Sequence, residues 1–276
     1  MSVNQTQTLG SGSRAPGMWV LLLNSPITIK IMAGIVILAL WEGVVRFAAP
    51  PYVAKPSGII EAFPSVVVNP EFLSATAITL EAVAVGLVVA IVLGTVLGLV
   101  IGRVKAVDYS LSRYVNILFT MPMIAILPLL SLWFGHTSAT RFVLIVLVAG
   151  ITIVISVSDG ARDVPARYLE VSKSFRAGRM RTMFGVVLPA SIPYLLAGIR
   201  LAAGRALTSA VIADFFLAIP GLGYYILYNS RSFHHNEAFV GVIALAAAGV
   251  GFDGFINWII HKKLRWLRRD SNPSYS

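Results

Sequence analysis

The chain has 276 residues, 57% of them hydrophobic and 12% charged, with 22 Lys and Arg against 12 Asp and Glu and no cysteine. A soluble domain carries about 25% charged residues, so this chain cannot clothe a water-facing surface, and disulfides and thiolate metal sites are excluded. The formal net charge of +10 sits in loops between apolar runs rather than in the aromatic-interleaved patch of a nucleic-acid binder.

Residues 1–28, rich in Ser, Gly, Asn, Gln and Thr, predict a disordered cytoplasmic tail. The first apolar span, 29–49, is long enough at 1.5 Å per residue to cross a hydrocarbon core of about 30 Å. The polar leader ahead of it, longer than the brief basic region of a signal peptide, argues against cleavage. Glu42 and Arg46 stand four apart on this span, at ion-pair spacing. Segment 50–78, with Pro50, Pro51, Pro56, Pro64 and Pro70, reads as an external loop with short amphipathic turns. Spans at 79–102, 114–134, 140–158, 191–215 and 238–260 follow, six in all, and residues 261–276 form a basic tail.

Cations set the orientation. Arg14, Lys30, Arg103, Lys105, Arg113, the Arg162–Arg181 cluster and the C-terminal Lys262–Arg269 cluster share one side under a six-span arrangement. The other side has Lys55, Arg231 and the boundary residue Arg141. The positive-inside rule then places both termini in the cytoplasm of a cell-membrane protein surrounded by lipid.

On the second span, Gly94, Gly98 and Gly102 recur every four residues, with Gly86 two turns earlier, and make a smooth face for close helix packing. Met121-Pro122-Met123 and Pro128 predict a kink in the third span. That segment is either part of the translocation path or a merely bent packing helix. Charges within spans face the bundle interior. Arg200 lies about 14 Å along its helix from Ser191, and Asp253 about 10 Å from Ile260, a comparable depth at which the two can pair. Arg205 lies deeper, and these cations are compatible with an anionic solute. Asp214, just before Ile219-Pro-Gly-Leu-Gly223, either lines an outer gate or caps a short helix. The His234-His235 doublet lacks the further ligands of a metal site. No phosphate loop and no paired carboxylates occur, so the chain does not read as an enzyme, and any ATP used is bound by another chain.

Between the fourth and fifth spans, residues 159–190 are too polar to cross a bilayer and too long for a turn. Residues 165–176 predict one helix, with Tyr168, Val171, Ser172 and Phe175 on one face. Residues 179–188 predict a second helix, with Gly178 permitting the turn between them. Tyr168 and Phe175 form a knob suited to a groove on a partner.

The loop resembles the inner-membrane permeases of ATP-binding-cassette importers, whose signature reads Glu-Ala-Ala, three residues, Gly, nine residues, Ile-x-Leu-Pro. Glu170, Val186, Leu188 and Pro189 fall at the matching positions, Val171 and Ser172 replace the two alanines, and Arg176 stands where glycine is usual. The Gly-Leu-Val-Ile-Gly102 region, the Met-Pro…Leu-Pro-Leu…Trp-Phe-Gly135 pattern and Pro-Gly-Leu-Gly223 are similar to the nitrate, sulfonate, taurine and bicarbonate subfamily. The resemblance implies an all-α polytopic membrane fold of the type I importer (MetI-like) kind, with about six transmembrane helices. It also implies a second permease copy, two ATP-binding-cassette subunits holding ATP and Mg, and an external solute-binding protein. The implied contact with the ATPase runs through Tyr168, Glu170, Val171, Ser172, Lys173, Ser174, Phe175, Arg176, Ala177 and Gly178, with Phe175 as apolar anchor. An ion-gradient-driven secondary transporter is the competing reading, but no convincing inverted repeat supports it.

Overall fold

The computed structural model describes residues 26–50 and 52–263; the predicted disordered tail up to residue 25 and the basic tail beyond 263 lie outside the described residues. Among the described residues the chain is helical, without strands. It divides into two compact units after Gly58.

In the first unit, helix α1 (Pro26–Ala48) carries Lys30 in its second turn and is then apolar until Glu42 and Arg46. Glu42 receives Arg46 Nε at 2.5 Å, and also the backbone N–H of Ser57 at 3.0 Å and its hydroxyl at 2.8 Å. The carboxylate thus holds the start of helix α2 (Pro56–Val67), beyond a local pairing with Arg46.

The expected loop over 50–78 is instead α2 and the first turns of α3 (Pro70–Arg103). The prolines misled because Pro56 and Pro70 open helices, where a missing N–H costs nothing. Asn69 caps α3 by accepting the Glu71 N–H at 2.8 Å.

The second unit is organised by α3, α6 (Ser138–Arg162) and α8 (Arg179–Leu217), with Val83, Ile145, Ile153, Val157, Ala202 and Ala206 in their common core. The glycine face of α3 lies against α6. A Cβ on Gly94 would sit 2.9 Å from Ile153 Cβ, one on Gly98 2.8 Å from the Val154 carbonyl oxygen, and one on Gly102 2.6 Å from that of Ser158. Backbone cannot yield as a flexible side chain does, so Gly98→Val is expected to force the two helices apart. Overpacking costs about 1–3 kcal/mol, read as a lower unfolding temperature in detergent. An unchanged midpoint would mean the helices separate without penalty.

The third span is not one kinked helix. Helix α4 (Lys105–Thr120) and the segment Met123–Phe134, a 3₁₀ turn leading into α5 (Leu127–Phe134), meet at 100°. Met121, forced into extended geometry by the proline after it, has φ −68° and ψ 133° and ends α4 outright. Pro128 does not kink anything, because it lies in the first turn of α5.

Helix α7 (Ala166–Ser174) forms the loop; α9 (Leu222–Arg231) and α10 (His235–Lys263) follow α8. The helices α1, α3, α6, α8 and α10 are long and apolar enough to cross a membrane, and the bent pair makes a sixth span if counted as one. The polar second helix of the loop does not end at Leu188-Pro189 but continues into the fifth span as α8. A π turn at Met183–Val187 accommodates the proline, whose ring would otherwise press on the carbonyl four residues back.

Candidate functional site: the polar loop and the charges within the spans

The loop begins at Pro165, whose carbonyl accepts the Tyr168 N–H at 3.0 Å and so starts α7. It ends in a Schellman motif: the Ala177 N–H reaches the Ser172 carbonyl at 3.0 Å and the Arg176 N–H that of Lys173 at 2.8 Å. Arg176 is the left-handed residue, with φ 50°. The sequence reading assigned the turn to Gly178, which is extended at φ −64° and precedes α8. The arginine therefore occupies the conformation that glycine favours, at the position where the family signature has glycine. Left-handed geometry costs an L-residue about 1 kcal/mol or more, so Arg176→Gly is expected to raise the unfolding midpoint or slow proteolysis of the loop. A lower midpoint would show that the arginine side chain makes a compensating contact.

Ser172 faces inward, its hydroxyl 2.7 Å from that of Thr182, and ties α7 to the first turn of α8. Tyr168, Val171 and Phe175 remain exposed and line one groove of about 600 Å³ with Arg181 and Val186. Phe175 is 82% exposed, high for a phenylalanine ring, which has no polar atom to present to water. Ser174 donates back to the Glu170 carbonyl at 3.0 Å, and Lys173 points to a separate cavity. The loop is braced at its root by Arg162, which donates to Asp159 at 2.9 Å and Asp108 at 2.6 Å, and by the Tyr194 hydroxyl, which donates to Asp163 at 2.6 Å.

Within the spans, Arg200 contacts both oxygens of Asp253, Nε to Oδ1 at 2.5 Å and Nη2 to Oδ2 at 3.0 Å. Arg205 lies over the Phe119 ring at 4.1 Å and donates weakly to Thr152 Oγ1 at 3.4 Å. It makes no ion pair with a carboxylate among the described residues.

Asp214 faces no opening within this chain: it is 0% exposed and walled in. Arg141, 4% exposed, donates to it at 2.8 Å and to the Pro220 carbonyl at 2.9 Å. Thr79 Oγ1 donates to Asp214 at 3.1 Å and accepts the Leu222 N–H at 2.8 Å, while the Gly223 N–H points to Asp214 at 3.3 Å. Gly221 and Gly223 let the turn close over the carboxylate, since a Cβ on Gly223 would lie 2.7 Å from the Val211 carbonyl oxygen. This network on α3, α6, α8 and the turn was missed by sequence reasoning. The same-depth argument applied to Arg200 and Asp253 was available: Arg141 lies just inside the start of α6 and Asp214 just before the end of α8.

Of the candidate path residues, Met121 and Pro122 form the bend, and Pro122 and Pro128 are exposed. Met123 packs on the cluster of Leu127, Leu130, Leu144 and Leu217 rather than facing an open channel within this chain. Among the described residues no three His, Cys, Asp or Glu side chains gather to hold a metal ion.

Together, apolar spans of membrane length joined by a polar loop define a polytopic membrane protein. Residues 86–265 match the family model for the binding-protein-dependent transport system inner membrane component, and the chain belongs to that family. It is similar to the putative aliphatic sulfonates transport permease protein SsuC of Bacillus subtilis, 29% identical over 84% of each chain. It is also similar to the taurine transport system permease protein TauC of Escherichia coli, 24% identical over 92% of each. Among solved structures, the crystal structure of an amino acid ABC transporter with histidines shares the fold, with a TM-score of 0.59 at 16% identity over 72% of this chain and 97% of that one.

Proposed function

We propose that the chain is the permease subunit of an ATP-driven importer, forming the path for a small anionic solute handed over by an external solute-binding protein. Residues 29–260 make the permease domain, with both termini cytoplasmic. Two ATP-binding subunits, which carry ATP and Mg, grip residues 165–178 of this chain and of a second permease copy.

The observation that carries this reading is Phe175, held out by a capped helix at the rim of a groove. A phenylalanine exposed to that degree on a polar loop is an anchor awaiting a pocket. Behind that anchor the loop is built as a lever. Ser172 joins α7 to Thr182, and α8 then runs unbroken for 39 residues, roughly 58 Å, through the spans. Displacement of the loop by nucleotide-driven closure is thereby carried as a rigid-body movement into the bundle. The chain has no cysteine, so Phe175→Cys provides a single labelling site. A membrane-impermeant maleimide is expected to reach it in inverted vesicles and not in intact cells, with protection when the ATPase is present. Labelling from outside intact cells would overturn the reading.

The anionic solute is supported by the names of the sulfonate and taurine relatives and by Arg205, whose charge within the bundle meets, among the described residues, an aromatic face and a hydroxyl and no carboxylate. Arg205→Gln is expected to reduce uptake of the solute by about tenfold or more, on the scale of a charge-assisted hydrogen bond, while assembly with the ATPase persists. Uptake at the original rate would remove Arg205 from the path.

A further inference from the structure

A second cavity, of about 510 Å³, lies on the opposite side of the loop helix from the Phe175 groove. Arg103, Lys105, Lys173 and Arg179 surround it, and no carboxylate lines it. None of the four makes an ion pair with a carboxylate among the described residues. Four like charges around one concavity raise one another's energy unless an anion enters.

The backbone adds to this field. Lys105 is the first residue of α4, where the helix dipole disfavours a cation, and Val104 before it supplies no side-chain cap to the first-turn amides. Both residues face the cavity. Arg103, whose Nη1 is held by the Ala161 carbonyl at 3.3 Å, is thereby fixed at the rim.

The depth selects the kind of anion. Arg103 ends the 34-residue apolar helix α3, the end of a span being where the positive-inside rule sets cations beside lipid headgroups. Apolar side chains line the cavity too: half-buried Leu169 and Met183 and the fully buried Val187. Largely exposed cations beside buried apolar lining match a phosphate group carrying an acyl chain better than a free anion.

We propose that this cavity binds the headgroup of an anionic phospholipid, which bridges Lys173 on the loop helix to Arg103 and Lys105 at the span ends. The test is native mass spectrometry of the full chain released from nanodiscs of phosphatidylcholine with or without phosphatidylglycerol. A retained phosphatidylglycerol adduct is expected. Lys105→Gln combined with Arg179→Gln should weaken its retention roughly thirtyfold, at about one kcal/mol for each cation near the membrane surface. Both side chains are exposed, and the variant Lys105→Arg with Arg179→Lys, which keeps the charges, should retain the lipid. Removing equal charge elsewhere, by Arg113→Gln with Lys262→Gln, should not weaken retention to this extent. Equal loss in that control, undiminished retention in the first variant, or stabilisation by inorganic phosphate in phosphatidylcholine alone with nothing added by phosphatidylglycerol would each overturn the proposal.

Discussion

Arg141→Met is expected to destabilise the protein by about 3–5 kcal/mol, the loss incurred when one member of a buried ion pair is left alone. Asp214 is fully buried, and Arg141 is its cationic partner. Without it the carboxylate retains only the Thr79 hydroxyl and the long contact with the Gly223 N–H, and the Pro220 carbonyl loses its donor as well. The turn from Pro220 to Gly223 is then released from α6. The measurement is the unfolding temperature by fluorescence-detected size exclusion in mild detergent, with wild type, both single variants and the double variant Arg141→Met/Asp214→Leu. A buried pair replaced by apolar groups of similar size is often neutral, so the double variant should recover most of what either single variant loses. Additive losses would show that the two residues stabilise the fold independently. The same cycle bears on transport, because the network joins α3, α6, α8 and the turn before α9. A double variant that folds but no longer imports would mean that this end of the bundle must hold its pair in one state and release it in another.

On the proposed docking of an ATPase at the loop, Phe175→Ala is expected to leave the isolated chain intact and to remove most of its hold on that partner. The ring is 82% exposed, and surface substitutions away from packed features change stability by about 0.5 kcal/mol or less. An aromatic anchor at an interface is worth about 2 kcal/mol or more, roughly a thirtyfold change in affinity. Recovery of the ATPase on the tagged permease and solute uptake should therefore fall together, while the unfolding temperature does not move. Phe175→Leu, which keeps an apolar body, should lie between the two. Normal recovery of the ATPase with Phe175→Ala would dismiss the ring as the anchor and shift attention to Tyr168 and Val171 across the same groove.

These expectations draw on different levels of information. Phe175 was legible in the sequence because an aromatic residue at helical spacing with Tyr168 and Val171, in a segment too polar to be buried, has few structural uses. Gly94, Gly98 and Gly102 were legible as a face by their period alone, although the sequence did not say that α6 is the element that meets them. The pairing of Arg200 with Asp253 could be argued from depth, since neighbouring spans of fixed rise bring equal depths together. Arg141 and Asp214 admit the same argument, but each lies near a span boundary, where a charge can be solvated and depth alone does not demand a partner.

Other features were out of reach for physical reasons. Proline stops a helix, opens one or rides on a π turn according to the hydrogen bonds around it; Pro70 and Pro128 sit in first turns, Pro122 follows the residue that ends α4, and Pro189 rides on a π turn. Arg176 takes a glycine's conformation because the Schellman bonds to Ser172 and Lys173 require it, and no residue preference predicts an arginine there.

The amino-acid order determined the membrane class, the spans and the exposed loop by itself, because a bilayer imposes its demands on each segment separately: length, apolarity and the placing of cations. Which faces meet, where the third span breaks and which charges are buried were decided only in three dimensions. Thr79 and Asp214 are 135 residues apart and share one hydrogen bond, and such a contact depends on the joint packing of several helices, which no single segment encodes.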